Sequence, residues 1–126
     1  MLIRKADLND LSSIIDLWYE MMVFHVNVND IYSLKDNAKS IYQSYIEENM
    51  KDQNKAIFVC ERQDKLVGYL FAEINSLPPV YHEGVIGVIT ELGVNEKERK
   101  QGIGKLLLDK AEEWFKDQGI YRAECT

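Results

Sequence analysis

The residues best suited to do chemistry are a pair of glycines that follow a charged loop. Gly102 and Gly104 precede an apolar pattern with helical spacing, so they lie at the start of a predicted helix. The first N–H groups of a helix lack intrahelical partners and carry partial positive charge, and glycine lets an anion approach them closely. Three cations flank the pair: Arg99, Lys100 and Lys105. This combination favours a pyrophosphate ligand over a base edge or a metal ion.

Two other phosphate-binding motifs do not fit this segment. A P-loop would require glycine where Arg99 stands and serine or threonine where Leu106 stands. The dinucleotide fingerprint would require a third glycine where Leu107 stands, and a strand directly before the first. Short glycine patterns also recur by chance, so the pair alone is equally compatible with an ordinary helix start.

The whole segment is more specific than the glycine pair. The pattern Arg99-x-x-Gly102-x-Gly104, preceded by Leu92-x-Val94, resembles the acetyl-CoA-binding segment of the GNAT superfamily of N-acetyltransferases. The resemblance implies acetyl-CoA as co-substrate, with its pantetheine arm along a strand and its pyrophosphate at the helix start. The cofactor-binding residues it implies are Leu92, Gly93, Val94, Arg99, Lys100, Gln101, Gly102, Ile103, Gly104 and Lys105.

Glu91 is the candidate general base, and no covalent nucleophile is expected. Transfer from a thioester requires a neutral amine held against a polarised carbonyl, and a partly buried carboxylate can take the proton of that amine. Glycine inside a strand predicts a bulge or a close backbone approach, and Gly93 stands just beyond Glu91. The resemblance further implies that the N–H near Leu92 faces the thioester carbonyl. An exposed or salt-bridged strand glutamate is the alternative for Glu91.

Several polar and aromatic residues could line a pocket for the acceptor amine. The candidates are Phe24, His25, Glu73, Tyr81 and His82. A simpler interpretation exists for His82, because a lone histidine in a loop is usually just exposed to solvent. No metal site is expected, since neither histidine has a third ligand at useful spacing. The two cysteines, Cys60 and Cys125, are predicted to be reduced and buried.

Apolar periodicity predicts a single domain over residues 1–126, with the order β-α-α-β-β-β-α-β around a mixed sheet. This α/β class (an α+β mixed sheet) agrees with a GNAT-like acyl-CoA N-acyltransferase fold. Asp7 is the predicted cap of the first helix, which should fray by residues 24–25. The second helix should begin within residues 33–36, and Gly119 should end the third. The resemblance implies a fold truncated at its C-terminal side, with an open sheet edge that could form a homodimer.

Composition limits the function classes. Of 126 residues, 46% are hydrophobic and 29% charged, which is typical of a globular protein. A net charge of −6 disfavours nucleic-acid binding. With no apolar run of membrane-spanning length and no signal-peptide core, a cytoplasmic protein without membrane contact is expected.

Together with the resemblance, these features predict an N-acetyltransferase. It would act on a primary amine of a small molecule, by direct attack in a ternary complex with acetyl-CoA. The alternatives are a catalytically inactive CoA-binding module, a subunit completed by another chain, and a structural domain with a vestigial motif.

Overall fold

The residues that the computed structural model describes form a five-stranded mixed sheet with two helices on one face and a third on the other. These residues are 1–29, 35–99 and 101–125, and for 24–29 the backbone alone is described. The strands are Leu2–Lys5 (β1), Lys55–Arg62 (β2), Lys65–Ser76 (β3), Val85–Val94 (β4) and Ala123–Cys125 (β5). The α-helices are Leu11–Asn29 (α1), Ala38–Lys51 (α2) and Ile103–Asp117 (α3). The predicted element order and the mixed α/β class are confirmed.

The strands lie in the sheet in chain order, β1-β2-β3-β4-β5. The first four are antiparallel neighbours, and β5 runs parallel to β4 after the crossover through α3. The β2–β3 hairpin turns through Gln63 and Asp64, whose φ angles are 53° and 64°. Two left-handed residues in succession match the twist of the strands they join, so the turn fixes the register of this hairpin.

Each face of the sheet carries its own hydrophobic cluster. Strand alternation directs neighbouring side chains to opposite faces, so Phe58 points toward α3 while Val59 points toward α1 and α2. The α3 cluster includes Phe58, Cys60, Leu70, Ile89, Leu107, Trp114 and Phe115. The cluster under α1 and α2 includes Ile14, Leu17, Tyr42, Ile46, Val59, Tyr69 and Phe71. The sheet is therefore buried on both faces in its middle strands.

A β-bulge interrupts β4 at Thr90. Phe71 of β3 pairs with Glu91, and its neighbour Ala72 pairs with Ile89, so Thr90 has no opposite residue. The extra residue breaks the alternation of side chains along the strand. Ile89 belongs to the α3 cluster, whereas Glu91 contacts side chains of the opposite face.

Two helix boundaries differ from the sequence-based expectation. Helix α1 continues to Asn29, because no glycine or proline interrupts residues 11–29 and the backbone hydrogen bonds run on. Helix α2 begins at Ala38, later than the expected start within 33–36; residues 33–34 lie outside the described part of the chain. Gly119, with φ of 77°, follows the end of α3 as predicted.

The cap at Asp7 is confirmed, although it opens a short 3₁₀ turn, Leu8–Asp10, that leads into α1. Asp7 accepts the N–H of Asn9, and Asp10 accepts the N–H of Asp7, each at 2.8 Å. This reciprocal pair is a capping box.

The two cysteines differ in exposure. Cys60 is fully buried, as predicted, but Cys125 is exposed because β5 is an edge strand of the described sheet. The prediction that both thiols are buried is therefore wrong for Cys125. Among the described helices, none is both long enough and apolar enough to span a bilayer.

Candidate active site

The N-terminus of α3 leaves several main-chain donors open. Gly102 occupies the N-cap with a left-handed φ of 76°, and no side chain caps the helix there. The N–H of Leu106 donates to the carbonyl of Gly102 at 3.1 Å. This is the first turn of the helix, so the N–H groups of residues 103–105 precede any intrahelical acceptor. A Cβ added to Gly102 would meet no atom within 4 Å. The helix start thus has the donors and the space that an anion requires.

Two described cationic residues stand close in the sequence to this helix start. Arg99 is exposed, directly after the 3₁₀ turn Glu96–Glu98. Lys105 is 81% exposed and makes a surface contact with Asp109 at 3.3 Å. The Glu98 carboxylate, the nearest negative charge in the sequence to Arg99, pairs with Arg62 at 2.6 Å. Arg62 therefore compensates a charge that would otherwise repel an anion here.

The edge of β4 beside α3 has no strand partner among the described residues. β5 pairs with β4 at residues 87–89 alone. The N–H of Asn95 donates to the carbonyl of Val67 on β3 at 2.8 Å. Main-chain groups of successive strand residues point alternately toward and away from the neighbouring strand, so those of Leu92 and Val94 point away from β3. The Leu92 Cδ2 atom lies 3.8 Å from where a Cβ of Gly104 would stand. The open strand edge and the first turn of α3 are therefore adjacent.

Gly93 makes a close approach and does not form a bulge. It pairs in regular register with Tyr69. A Cβ at this position would lie 2.6 Å from Tyr69 Cε1 and 2.7 Å from Met21 Sδ. The bulge expected at Gly93 is wrong, since it falls at Thr90. A close approach is present, but it is made by the side chains of Tyr69 and Met21 and not by backbone.

Glu91 lies half-buried between α2 and the sheet. Its Oε2 accepts a hydrogen bond from the hydroxyl of Tyr42 and its Oε1 from that of Tyr69, each at 2.8 Å. Burial raises the pKa of the carboxyl above its ordinary value, and the two hydroxyl donors act in the opposite direction. The alternative of an exposed or salt-bridged glutamate does not describe this residue within the part of the chain that the structure covers.

The two tyrosines are the site residues that sequence reasoning missed. Tyr42 appears in the sequence only as part of an apolar stripe, and Tyr69 only as a strand residue. One usable signal is that a buried tyrosine hydroxyl needs a polar partner. Another is Gly93, whose missing side chain leaves room for the Tyr69 ring.

Glu73 shares a sheet face with Glu91. It stands two residues beyond Phe71 on β3, and Phe71 pairs with Glu91 across the strands. The Glu73 carboxylate lies 3.9 Å from the Lys55 ammonium and accepts a hydrogen bond from Asn75 at 3.2 Å. It is partly exposed, so it remains reachable from solvent.

The other predicted pocket residues are not brought to Glu91. Tyr81 and His82 are exposed in the loop before β4, and at ~3.3 Å per residue the six residue steps from Val85 to Glu91 span about 20 Å. The side chains of Phe24 and His25, and all of Lys100, lie outside the described part of the structure. Gln101 is exposed and Ile103 is buried in the α3 cluster.

Comparison with known proteins gives one family match. A model of the Acetyltransferase (GNAT) family matches residues 16–126. The matched region contains Glu91, the open edge of β4 and the start of α3. A search of curated proteins finds no match.

Solved structures of similar fold cover nearly the whole chain. A tetramutant of the BH1408 protein from Bacillus halodurans is 22% identical with a TM-score of 0.84, over 100% of this chain and 82% of the other. A predicted acetyltransferase from Clostridium acetobutylicum, solved with acetyl-CoA, is 19% identical with a TM-score of 0.81, over 99% and 79%. An aminoglycoside acetyltransferase from an uncultured soil metagenomic sample, in complex with sisomicin, is 23% identical with a TM-score of 0.71, over 99% and 76%. At these identities the similarity establishes the fold.

Proposed function

This chain belongs to the Acetyltransferase (GNAT) family, and we propose that it transfers an acetyl group from acetyl-CoA to a primary amine of a small molecule. The observation that carries the proposal is the meeting of two sets of main-chain donors. The edge of β4 at Leu92 and Val94, with which no strand of the described residues pairs, adjoins the open first turn of α3, with Leu92 Cδ2 3.8 Å from the Cβ position of Gly104. One extended ligand with a thioester at one end and a diphosphate at the other fits such a surface.

The cofactor would be held mainly by main chain. The N–H groups of residues 103–105 and the cations Arg99 and Lys105 suit a pyrophosphate, because a helix start favours negative charge. The groups of Leu92 and Val94 that point away from β3 suit the amides of a pantetheine arm, which can pair as an added strand would. The Leu92 N–H is suited to polarise the thioester carbonyl.

The chemistry asks for one proton acceptor. Acetyl-CoA supplies an activated acetyl group: the amine nitrogen bonds to the carbonyl carbon, the C–S bond breaks, and CoA leaves as a thiolate that takes a proton from solvent. The attacking amine must lose one proton, and Glu91 is the carboxylate closest along β4 to the proposed thioester position at Leu92. An ionised carboxylate also attracts the ammonium form in which most amines arrive; that form first loses its extra proton to solvent and then attacks as the neutral amine.

A small cationic acceptor fits the charges near Glu91. Glu73 stands on the same sheet face and is partly exposed, so a substrate with more than one amine could contact both carboxylates. The net charge of −6 attracts cations to the protein as a whole. One protein of similar fold is an aminoglycoside acetyltransferase solved in complex with sisomicin, which supports a small-molecule acceptor.

Calorimetric titration with acetyl-CoA, followed by a thiol-release assay over a panel of amines, tests the proposal. Gly102→Asp should raise the Kd for acetyl-CoA at least about a hundredfold, because a carboxylate ~5 Å from a phosphate costs ~3 kcal/mol at an effective dielectric constant near 20. Gly119→Asp is the matched control: its φ of 77° equals that of Gly102 within a degree, and its Cβ also meets open space.

The outcomes separate the alternatives. Normal binding by Gly102→Asp would mean that the anion site is elsewhere. Tight binding without thiol release on any amine would favour an inactive CoA-binding module, and no binding by the unaltered protein would remove both cofactor-based functions.

A further inference from the structure

Both carboxylate oxygens of Glu91 accept a hydrogen bond from a buried phenol. The donors are Tyr42 of α2 and Tyr69 of β3, each with an O···O distance of 2.8 Å. We propose that Tyr42 and Tyr69 are positioning residues for Glu91, which hold its carboxylate in one orientation as the proton acceptor for the substrate amine. This inference rests on the proposed acetyl transfer and concerns the groups that control its base.

The ring of Tyr42 packs against two other aromatic rings. It stacks on Trp18 of α1, with centroids 3.8 Å apart and planes 10° from parallel. Its other neighbour is Phe71 of β3, at 6.3 Å and also 10°. A phenol packed against two rings has little freedom to follow a moving carboxylate, so the carboxylate must come to it.

The ring of Tyr69 is fixed by the backbone of β4. It is fully buried and lies against the main chain of Gly93, where a Cβ would come within 2.6 Å of the ring. Phe71 packs beside it, with centroids 5.3 Å apart. Since both hydroxyls are fixed by packing, they define one orientation for the side chain of Glu91.

The hydroxyls also act on the charge of Glu91. Burial raises the pKa of the carboxyl, and the two donors oppose that rise because they favour the charged form. The pKa of each phenol is itself raised, first by burial and then by the Glu91 charge, so both phenols stay protonated and keep donating. Without one hydroxyl, burial is less opposed and Glu91 binds its proton at a higher pH.

Few other titratable groups face Glu91 from the described residues. The titratable side chains on the surrounding elements are Tyr45 of α2, Glu73 of β3, Lys55 of β2 and Glu124 of β5. Helix α1 contributes the uncharged Trp18 and Met21. Tyr45 packs against the Tyr42 ring at 5.7 Å and is 48% exposed. No hydrogen bond joins it to Glu91, so Tyr45→Phe is a matched control for the loss of one phenol.

The test titrates Glu91 directly by carbon NMR of carboxyl-labelled glutamate, with the signal assigned through Glu91→Gln. The midpoint should rise in Tyr42→Phe and in Tyr69→Phe and should not move in Tyr45→Phe. The acidic limb of kcat/KM for acetyl transfer should shift in the same direction. At a fixed pH on that limb, kcat/KM should fall about tenfold in each of the two variants, and the plateau at higher pH should fall less, because Glu91 is charged there but is held by one hydroxyl only.

Three results would count against the inference. An unmoved Glu91 midpoint in both variants overturns it, even if the enzyme is active. A midpoint that rises while the kinetic limb stays in place overturns the link between the tyrosines and catalysis. Wild-type protein that binds acetyl-CoA but acetylates no amine overturns the proposed function, a failure that the NMR titration identifies separately because it needs no turnover.

Discussion

Replacing Gly93 with alanine should destabilise the protein through one buried ring. The added Cβ would lie 2.6 Å from Tyr69 Cε1 and 2.7 Å from Met21 Sδ, closer than side-chain atoms approach each other. Met21 is half-buried and flexible, so it can retreat. Tyr69 cannot retreat at low cost, because it is fully buried and its hydroxyl donates to Glu91 at 2.8 Å.

The size of the effect follows from these contacts. Overpacking a buried site costs ~1–3 kcal/mol, and weakening a hydrogen bond to a charged group adds ~1 kcal/mol. We therefore expect a loss of about 2–4 kcal/mol in the free energy of unfolding. With about 2.1 cal/mol/K of unfolding entropy per residue over 126 residues, this corresponds to a Tm lower by about 8–15 °C.

Differential scanning calorimetry at neutral pH measures the change. The control is Gly84→Ala, where an added Cβ meets no atom within 4 Å, and its Tm should stay within about 2 °C of the wild type. If Gly93→Ala melts within that same interval, the Tyr69 ring is not held against β4, and the account of how Glu91 is positioned loses one of its two supports.

Two further predictions concern charge pairs. Asp10→Asn should lower the free energy of unfolding by about 2–4 kcal/mol at neutral pH, because Arg4 bonds both carboxylate oxygens at 2.7 and 2.9 Å. The hydrogen bond from Arg4 holds the pKa of Asp10 below its ordinary 3.8. The contribution of Asp10 to stability is therefore complete above pH 3.8 and is lost as the pH falls through the lower pKa of the folded state. Urea unfolding from neutral pH to about pH 2 measures this loss. Arg62→Ala should raise the Kd for acetyl-CoA about threefold to tenfold, because Glu98 is then uncompensated beside Arg99; calorimetric titration measures it.

Exposed residues of the same type provide the controls. Asp16 is 68% exposed, and Asp16→Asn should change the free energy of unfolding by less than about 0.5 kcal/mol. Arg122 pairs with Glu83 beyond the far end of α3, so Arg122→Ala should leave acetyl-CoA binding unchanged. Equal destabilisation by the two asparagine variants, or equal Kd values for the two arginine variants, would contradict the respective assignment.

Local patterns in the sequence predicted the helices and strands, and the start of α3, well. The stripe after the glycine pair became α3, beginning at Ile103, and Gly119 follows its end. These features depend on residues close in the chain, where helical spacing and glycine conformation act directly. The same holds for the capping box at Asp7 and Asp10.

Features set by strand register could not be predicted. Gly93 signalled an irregularity in β4, yet the bulge formed three residues earlier, at Thr90, because register depends on how β3 and β4 pair along their length. The partners of Glu91 were equally hidden: Tyr42 and Tyr69 lie 49 and 22 residues away along the chain. Homodimerisation through the sheet edge and the identity of the acceptor remain predictions.

The order of the strands has a consequence for synthesis on the ribosome. Because the sheet is laid down in chain order, each of β2, β3 and β4 finds its neighbour already made when it emerges. The pocket around Glu91 can thus assemble before α3 emerges from the ribosome. Until that helix emerges, the apolar side chains of Phe58 and Leu70 have no cover, so a nascent chain whose emerged part ends near residue 94 is at its most prone to aggregate.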